Sequence, residues 1–391
     1  MKILYIDHYF GSPSMGMEFR PYYFARGWTN SGHKVLCVGA SYSHLRRIQP
    51  EKVGLYMIDG LDFLILKTRE YKGNGIRRVL NMLDFMRELF TTARSQILDF
   101  KPDLVIASST YTWDNWAAAY YAKKCGAKYV YELHDIWPLS PMELGGMSKW
   151  HPFIWLLQRA ENFACRHCDK VISVLPAAEE HLKEHGLKPG KFQYVPNGVL
   201  LEEWQNVTEP CNREANRPFT IGYVGGHALS NALDTLCEAA KKLVDIKFVL
   251  VGSGAEKARL REKCKDIPNV EFRDPVKKSD VPATLREFDC LYIGWTKSPL
   301  YRFGISPNKI YDYMMSGRPI VHAVDAANDP VMDAGCGISC APENVEALVG
   351  TIMRMHDMPI KVRRDMGRRG HEFVLKNNLI PDLSRKFLEA I

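Results

Sequence analysis

From Arg302 to Pro319 the chain reads Arg-Phe-Gly-Ile-Ser-Pro-Asn-Lys-Ile-Tyr-Asp-Tyr-Met-Met-Ser-Gly-Arg-Pro, and these residue types suit the handling of a diphosphate. Ser306 is placed to cap a helix whose first position is Pro307. The first turn of such a helix, including Asn308, offers backbone N–H groups that lack intrahelical acceptors. Lys309 falls in the same turn, where the macrodipole disfavours a cation unless an anion sits beside it. Asp312 lies three residues further on, can share a face with Lys309, and could offer a carboxylate to a ribose diol. The plainer alternative is a capped surface helix with an ordinary Lys/Asp pair, which leaves the first-turn lysine unexplained.

A second constellation, Glu132-Leu133-His134-Asp135-Ile136-Trp137-Pro138, follows an apolar run at 128–131. A histidine and an acid at a strand's carboxyl end are suited to proton handling or to holding a polar ligand. A histidine merely hydrogen-bonded within its loop is the competing explanation, and the two weigh about evenly. The segment from Gly11 to Arg20 contains Gly16, Glu18 and Arg20, and Val251-Gly252-Ser253-Gly254 ends a later run. Both let backbone approach an anion, but both also fit simple turns. The G-x-G-x-x-G spacing of dinucleotide sites is absent, and so is any Asp-x-Asp pair for a metal-bridged diphosphate.

Positioning such groups requires strands that end at one edge. Short apolar runs at 3–6, 35–38, 63–66, 104–107, 128–131 and 171–174 alternate with helical stretches at 76–98, 115–124 and 153–166. Continuous apolar strands between helices imply a parallel sheet covered on both faces. A polar stretch follows Pro196-Asn197-Gly198, and the alternation then restarts. Strands are expected at 220–224, 247–251, 270–273, 290–293 and 320–323, with helices at 231–243, 256–265, 280–288, 309–316 and 345–356. The expected organisation is α/β throughout. A first Rossmann-like domain spans 1–198, a linker 199–218, and a second Rossmann-like domain 219–370. A closing helix around 371–391 is free to pack back on the first domain, and Pro381 breaks the helical pattern there. Two doubly wound domains would face each other across a cleft lined by strand ends.

Composition narrows the partners. The 391 residues are 46% hydrophobic and 25% charged, the balance of a folded globular chain. The net charge of +7 is concentrated in residues 1–200, which hold 25 Lys/Arg against 19 Asp/Glu. That modest surplus, with a nearly neutral remainder, argues against nucleic acid and allows an anionic lipid surface. No run of eighteen apolar residues exists, and the acid at Asp7 interrupts the opening apolar stretch, so a cytoplasmic protein without a leader is expected. Ten cysteines read as reduced core thiols. Cys165-Arg166-His167-Cys168 lacks a second ligand pair for zinc, so no metal is expected. The apolar segment Trp150-His151-Pro152-Phe153-Ile154-Trp155-Leu156-Leu157 reads as buried by default, or as facing lipid together with Arg46-Arg47 and Arg77-Arg78. Ile76, Val79, Leu80, Leu83, Met86, Phe90, Ala93 and Ile97 keep helical spacing and read as core.

The order and spacing of these motifs resemble the retaining glycosyltransferases of family 4, which have the GT-B fold. The resemblance rests on the first glycine-bearing loop with Gly32-His33-Lys34-Val35, on His134-Asp135, and on Val195-Pro196-Asn197-Gly198-Val199. It rests also on Val251-Gly252-Ser253-Gly254 and, most specifically, on 306–319. It implies sugar transfer from a nucleotide sugar, most plausibly a UDP sugar and in some members an N-acetylated one. The acceptor would be a glycan or a polyprenyl-diphosphate-linked sugar of O-antigen, capsule or exopolysaccharide assembly, handled at the inner face of the cytoplasmic membrane. No cofactor or metal is implied. The resemblance places His134, Lys309 and Arg302 in catalysis. Gly16, Gly225, Gly226, Ser306, Pro307, Asn308 and Asp312 would bind the donor, and Glu18, Arg20 and Asp135 would lie on the acceptor side. The sequence departs from the family at several points. The two family glutamates fall at Gly304 and Asp312, an Arg and a Lys that the family carries fall at Gly226 and Asn231, and Leu200 replaces an aspartate. Lys309 and Arg302 are the cations left to neutralise the diphosphate. Two rivals share the fold, a UDP-sugar 2-epimerase and a non-catalytic nucleotide-sugar-binding subunit.

Overall fold

The computed structural model describes residues 1–17, 20–205 and 217–391. The chain forms two compact units, Met1–Pro196 with Ile380–Ile391, and Asn197–Leu379.

The first unit is built on eight strands: β1 (Lys2–Ile6), β2 (Lys34–Ala40), β3 (Gly54–Ile58), β4 (Leu61–Leu66), β5 (Leu104–Ala107), β6 (Lys128–Leu133), β7 (Lys170–Ser173) and β8 (Phe192–Tyr194). Their order is β3-β4-β2-β1-β5-β6-β7-β8. Every neighbouring pair is parallel except β3 and β4, which form a hairpin. Asp59 (φ 45°) and Gly60 (φ 81°) turn that hairpin, the Asp-Gly pair that favours a two-residue turn with positive φ at both centres. Ile3 to Ile6 and all of β5 are buried, as helix-covered parallel strands must be. Helix Ile380–Glu389 packs on helix Arg20–Asn30. There Trp28 Nε1 donates to the Ser384 carbonyl at 2.8 Å, and Phe387 meets Trp28 at 5.1 Å and Phe24 edge-on at 6.0 Å.

The second unit holds β9 (Thr220–Val224), β10 (Lys247–Val251), β11 (Val270–Arg273), β12 (Cys290–Gly294), β13 (Ile320–Ala323) and β14 (Gly337–Cys340), in the order β11-β10-β9-β12-β13-β14 and wholly parallel. Alternate residues feed two cores. Tyr223, Phe248 and Leu250 pack with Leu236 on one side, while Val224, Val249 and Val251 pack with Ile310 and Tyr313 on the other. In each unit the strand order reverses once, between β1 and β5 and between β9 and β12. The carboxyl ends of strands at such a reversal are where open α/β sheets hold ligands.

Three expectations need correction. The stretch 76–98 is two helices, Ile76–Phe90 and Arg94–Phe100. Its buried stripe is Met82, Phe85, Met86 and Leu89, whereas Ile76, Leu83 and Phe90 are exposed. Two i, i+3, i+4 stripes coexist in that sequence, and packing selects the one through Phe85 and Leu89, while Ala93 and Ile97 are buried as expected. In the 150–157 segment Ile154 and Leu157 are buried, but Trp150 is 81% and Trp155 57% exposed. Finally, Pro381 does not break a helix. It is the second residue of Ile380–Glu389, where a missing N–H costs nothing, and the break falls at Asn378 and Leu379.

Candidate active site

At the β9 reversal of the second unit, Gly225, Gly226 and His227 follow the strand. Gly252 and Gly254 let the loop after β10 lie directly against this segment. A Cβ at Gly252 would meet the Gly225 carbonyl oxygen at 1.9 Å, and one at Gly254 would meet the His227 carbonyl at 2.3 Å. Both also have positive φ, 146° and 156°, so only glycine serves at either place.

Helix Asn308–Met315 brings Lys309 to the same loop. Its Nζ donates to Asn231 Oδ1 at 2.5 Å and to the Tyr223 hydroxyl at 3.0 Å. Tyr223 donates in turn to the Gly226 carbonyl at 2.7 Å, and Asn231 Nδ2 donates to the same oxygen at 2.9 Å. Among the described residues no carboxylate pairs with Lys309, and burial pushes its pKa down to about 8. A desolvated ammonium held only by neutral acceptors is poised to gain from an anion. Gly225 is within reach, since a Cβ there would lie 3.5 Å from Nζ. Beside it His227 is fully buried, with neither ring nitrogen bonded among the described residues. Its pKa falls to about 4 through burial first, then the charges of Lys257 and Lys309.

Several other residues of the 302–312 stretch take partners that the sequence did not announce. Pro307, not Ser306, is the N-cap residue. Ser306 Oγ instead accepts from the Asn197 backbone N–H at 3.0 Å and bonds the Tyr311 hydroxyl at 3.2 Å, which ties the 197 segment to the helix start. Asn308 is exposed and begins the helix. Asp312 does not share a partner with Lys309. Its carboxylate accepts from Lys278 Nζ at 3.0 and 3.1 Å, and Glu203 lies 3.5 Å from the same ammonium. Burial lowers the Lys278 pKa, but Asp312 and Glu203 outweigh it and lift the value to about 12. Arg302 is exposed and folds on its own turn, bonded to the Pro299 carbonyl with its guanidinium 4.3 Å from the Phe303 ring centre.

In the first unit the corresponding reversal gathers a buried network on Glu132, which is fully buried in β6. It accepts from Tyr5 Oη, from Arg20 Nε at 2.7 Å and from Ser108 Oγ at 2.8 Å. His134 Nε2 lies 2.8 Å from Ser108 Oγ and 3.5 Å from Glu132. The natural assignment of protons runs from His134 Nε2–H to Ser108 Oγ and from its hydroxyl to Glu132. Burial alone would raise the Glu132 pKa. The charges of His134 and Arg20, with hydrogen bonds from His134 and Tyr5, instead hold it well below the usual carboxylate range. Asp7, at the end of β1, is pushed up to about 6 by burial, against opposing effects of His134 and the Tyr9 N–H.

Two residues expected on the acceptor side have partners within the first unit. Arg20 is 3% exposed and committed to Glu132 and to the Pro196 carbonyl at 2.6 Å. Asp135 organises its own turn by accepting from the Ile136 N–H at 2.8 Å, Ser140 Oγ at 2.5 Å and Trp137 Nε1 at 3.3 Å. Gly16 closes a short 3₁₀ turn with φ 64°. Glu18 lies outside the described residues.

A doubly wound pair of units, each with polar side chains at its strand reversal, is the architecture of the GT-B glycosyltransferases. The model of the family described as Glycosyltransferase Family 4 matches residues 15–203, and that of Glycosyl transferases group 1 matches residues 218–357. The chain belongs to the family 4 glycosyltransferases and is a glycosyltransferase enzyme. No curated protein matches the sequence. Solved structures share the fold at low identity. Sucrose-phosphate synthase from Thermosynechococcus elongatus is similar with a TM-score of 0.77 at 15% identity, over 99% of this chain and 97% of that one. Anabaena Alr3699/HepE in complex with UDP-glucose gives 0.67 at 15%, over 100% and 98%. WaaG, a glycosyltransferase involved in lipopolysaccharide biosynthesis, gives 0.69 at 13%, over 100% and 99%.

Proposed function

We propose that this enzyme transfers a glycosyl group from a UDP sugar to a glycan or polyprenyl-diphosphate-linked acceptor of a bacterial surface polysaccharide, with retention and without a metal in the reaction. The carrying observation is the Lys309 ammonium, held by Asn231 and Tyr223 over the Gly225–Gly226 loop with no carboxylate partner among the described residues. Breaking a sugar–phosphate bond leaves negative charge on the departing oxygen, and a pre-positioned cation in a desolvated setting stabilises it. In this reading the Asn308 and Lys309 amides assist at the diphosphate, and His134 meets the sugar or phosphate. Attack and departure share one face, and donor phosphate helps take the acceptor proton. The UDP-glucose complex of the Anabaena protein supports the choice of nucleotide.

Association with the inner face of the cytoplasmic membrane belongs to the same proposal. Among the described residues no helix is long and apolar enough to cross a membrane. Trp150 and Trp155 project from the first unit, with Lys149 5.2 Å and Arg159 4.8 Å from their ring centres. Aromatic rings beside cations suit the headgroup layer.

The test is a panel of UDP, GDP and ADP sugars in thermal unfolding, followed by product analysis with and without chelator. A shift with UDP sugars that Lys309→Ala abolishes supports the reading. Isomerisation of the sugar without acceptor would replace it with the epimerase, and dependence on added magnesium would remove the metal-free mechanism.

A further inference from the structure

Away from the Glu132 network and the Lys309 loop, the first unit gathers a compact set of nitrogen and oxygen donors. Helix Pro152–His167 contributes Glu161, which is fully buried. Helix Glu179–Glu184 contributes His181, and His185 follows at its end. The spacing i, i+4 puts both imidazoles on one helical face, with ring centres 4.5 Å apart. His181 Nε2 lies 2.9 Å from Glu161 Oε1, and His185 Nε2 lies 3.9 Å from Oε2. One ligand atom from each of the three residues falls within 4.8 Å of the others. A tetrahedral ion bound at roughly 2.0–2.2 Å spaces its donors about 3.3–3.6 Å apart. The two histidine–carboxylate separations, 2.9 and 3.9 Å, lie on either side of that range, so side-chain adjustment would be needed to seat an ion.

The surrounding residues fix the orientation of one imidazole. Gln158 Nε2 donates to Glu161 Oε2 at 2.7 Å and to Asn162 Oδ1 at 2.9 Å. His185 Nδ1 lies 2.8 Å from that same Asn162 oxygen. Gln158 Nε2 also lies 3.1 Å from His185 Nδ1; in the tautomer whose Nδ1–H donates to Asn162, the Nε2 lone pair faces Glu161. A lone pair facing a buried carboxylate is repulsive unless a proton or a metal cation lies between them. An outer residue that fixes a histidine's tautomer so that its other nitrogen can ligate is the usual support of a metal-bound imidazole. His185 retains 23% side-chain exposure, which gives an ion a route in.

We infer that Glu161, His181 and His185 bind one divalent transition-metal ion of the zinc type, with a fourth position open to water. Two imidazoles and a carboxylate suit zinc or cobalt and not magnesium or calcium, which take oxygen donors. The ion clamps helix Pro152–His167 to helix Glu179–Glu184. The site lies apart from the Glu132 network and the Lys309 loop, so it is independent of the sugar-transfer reading.

The full chain, stripped with chelator and dialysed, is titrated with zinc and followed by metal analysis and thermal unfolding, with cobalt absorption reporting coordination. The expected result is about one ion per chain, a rise in melting temperature that follows occupancy, and a low-coordinate cobalt spectrum. His185→Asn should abolish all three. Asn162→Ala should keep the stoichiometry and weaken affinity about 10–100-fold; this second variant carries the test if the first does not fold. Equal uptake by wild type and His185→Asn, unchanged affinity in Asn162→Ala, or a cobalt spectrum identical to the aqueous ion would each overturn the inference and leave a hydrogen-bonded Glu–His cluster.

Discussion

Lys309 Nζ lies 2.5 Å from Asn231 Oδ1, so a cation carried by helix Asn308–Met315 is anchored at the loop that follows β9. The resemblance to family 4 puts a lysine at position 231. Here an amide stands at 231 and accepts from a lysine delivered by another element, which keeps a positive charge at this loop. Lys309→Ala is expected to lower transfer about 10²-fold or more, the scale of losing one oriented donor, with little change in melting temperature. Steady-state kinetics on the purified variant checks it, and unchanged turnover would remove Lys309 from the chemistry.

Placing a carboxylate beside that ammonium should have the opposite electrostatic effect. Asn231→Asp would pair with Lys309 and compete with the diphosphate, so UDP should bind more weakly while the fold gains an ion pair. Calorimetric titration with UDP, alongside thermal unfolding, reads both quantities.

The same lysine makes a pH prediction whose sign is fixed. Its folded pKa of about 8 is below the ordinary value of 10.5, so the unfolded chain binds more protons between those limits. Its stability contribution is therefore fully present above 10.5 and is lost as pH falls through about 8. UDP binding should run the other way, with affinity steady below about 8 and falling above it as the cation is lost. Proton uptake on binding, measured in buffers of different ionisation enthalpy, checks this; a flat profile that Lys309→Met does not alter would exclude the lysine.

Glu132 should matter for stability more than for donor binding. Its salt bridge with Arg20 has both side chains nearly inaccessible, 0% and 3% exposed. Glu132→Gln leaves Arg20 buried without its counter-charge, at a cost of about 3–5 kcal/mol. Because the Glu132 pKa is depressed below its ordinary 4.5, this stability is present above that value and fades as pH falls. Urea unfolding of wild type and variant at neutral and acidic pH should show the difference shrinking on acidification.

The proposed membrane association rests on Trp150 and Trp155. The double replacement Trp150→Ser, Trp155→Ser should reduce binding to vesicles containing anionic lipid without changing UDP affinity. Added salt should weaken the wild-type interaction, since exposed charges are screened over about 10 Å at 0.1 M. Equal vesicle binding by both proteins would discard this surface.

Strands that are buried on both faces were the easiest elements to read. The stretches at 220–224, 247–251 and 320–323 coincide with β9, β10 and β13, because a continuous apolar run bounded by helices has few other solutions. The β3–β4 hairpin escaped notice although Asp59-Gly60 signals it. In β3, Leu55 and Met57 are exposed, so the strand presents neither a buried run nor a polar outer face. At the site, residue type pointed to Lys309 and His134, but which partner each takes is a tertiary matter. Tyr223, Asn231 and Ser108 come from other elements, and no local spacing announces them. Asp312 is an example, since Lys278, its partner, is 34 residues away and reaches it only through the fold. His181 and His185 carried a legible signal in their i, i+4 spacing, but their third companion sits on a different helix.

The first unit takes its closing segment from beyond the second, since residues 380–391 belong with 1–196. During synthesis the rings of Phe24 and Trp28 are made early, and Phe387, which lies against them, is made only after the whole second unit. The first unit therefore waits until the second has been synthesised before this apolar seam is sealed. A nascent chain stalled anywhere in between would present Trp28 to chaperones, and a fragment ending at 196 should need a supplied 380–391 peptide to reach full resistance to proteolysis.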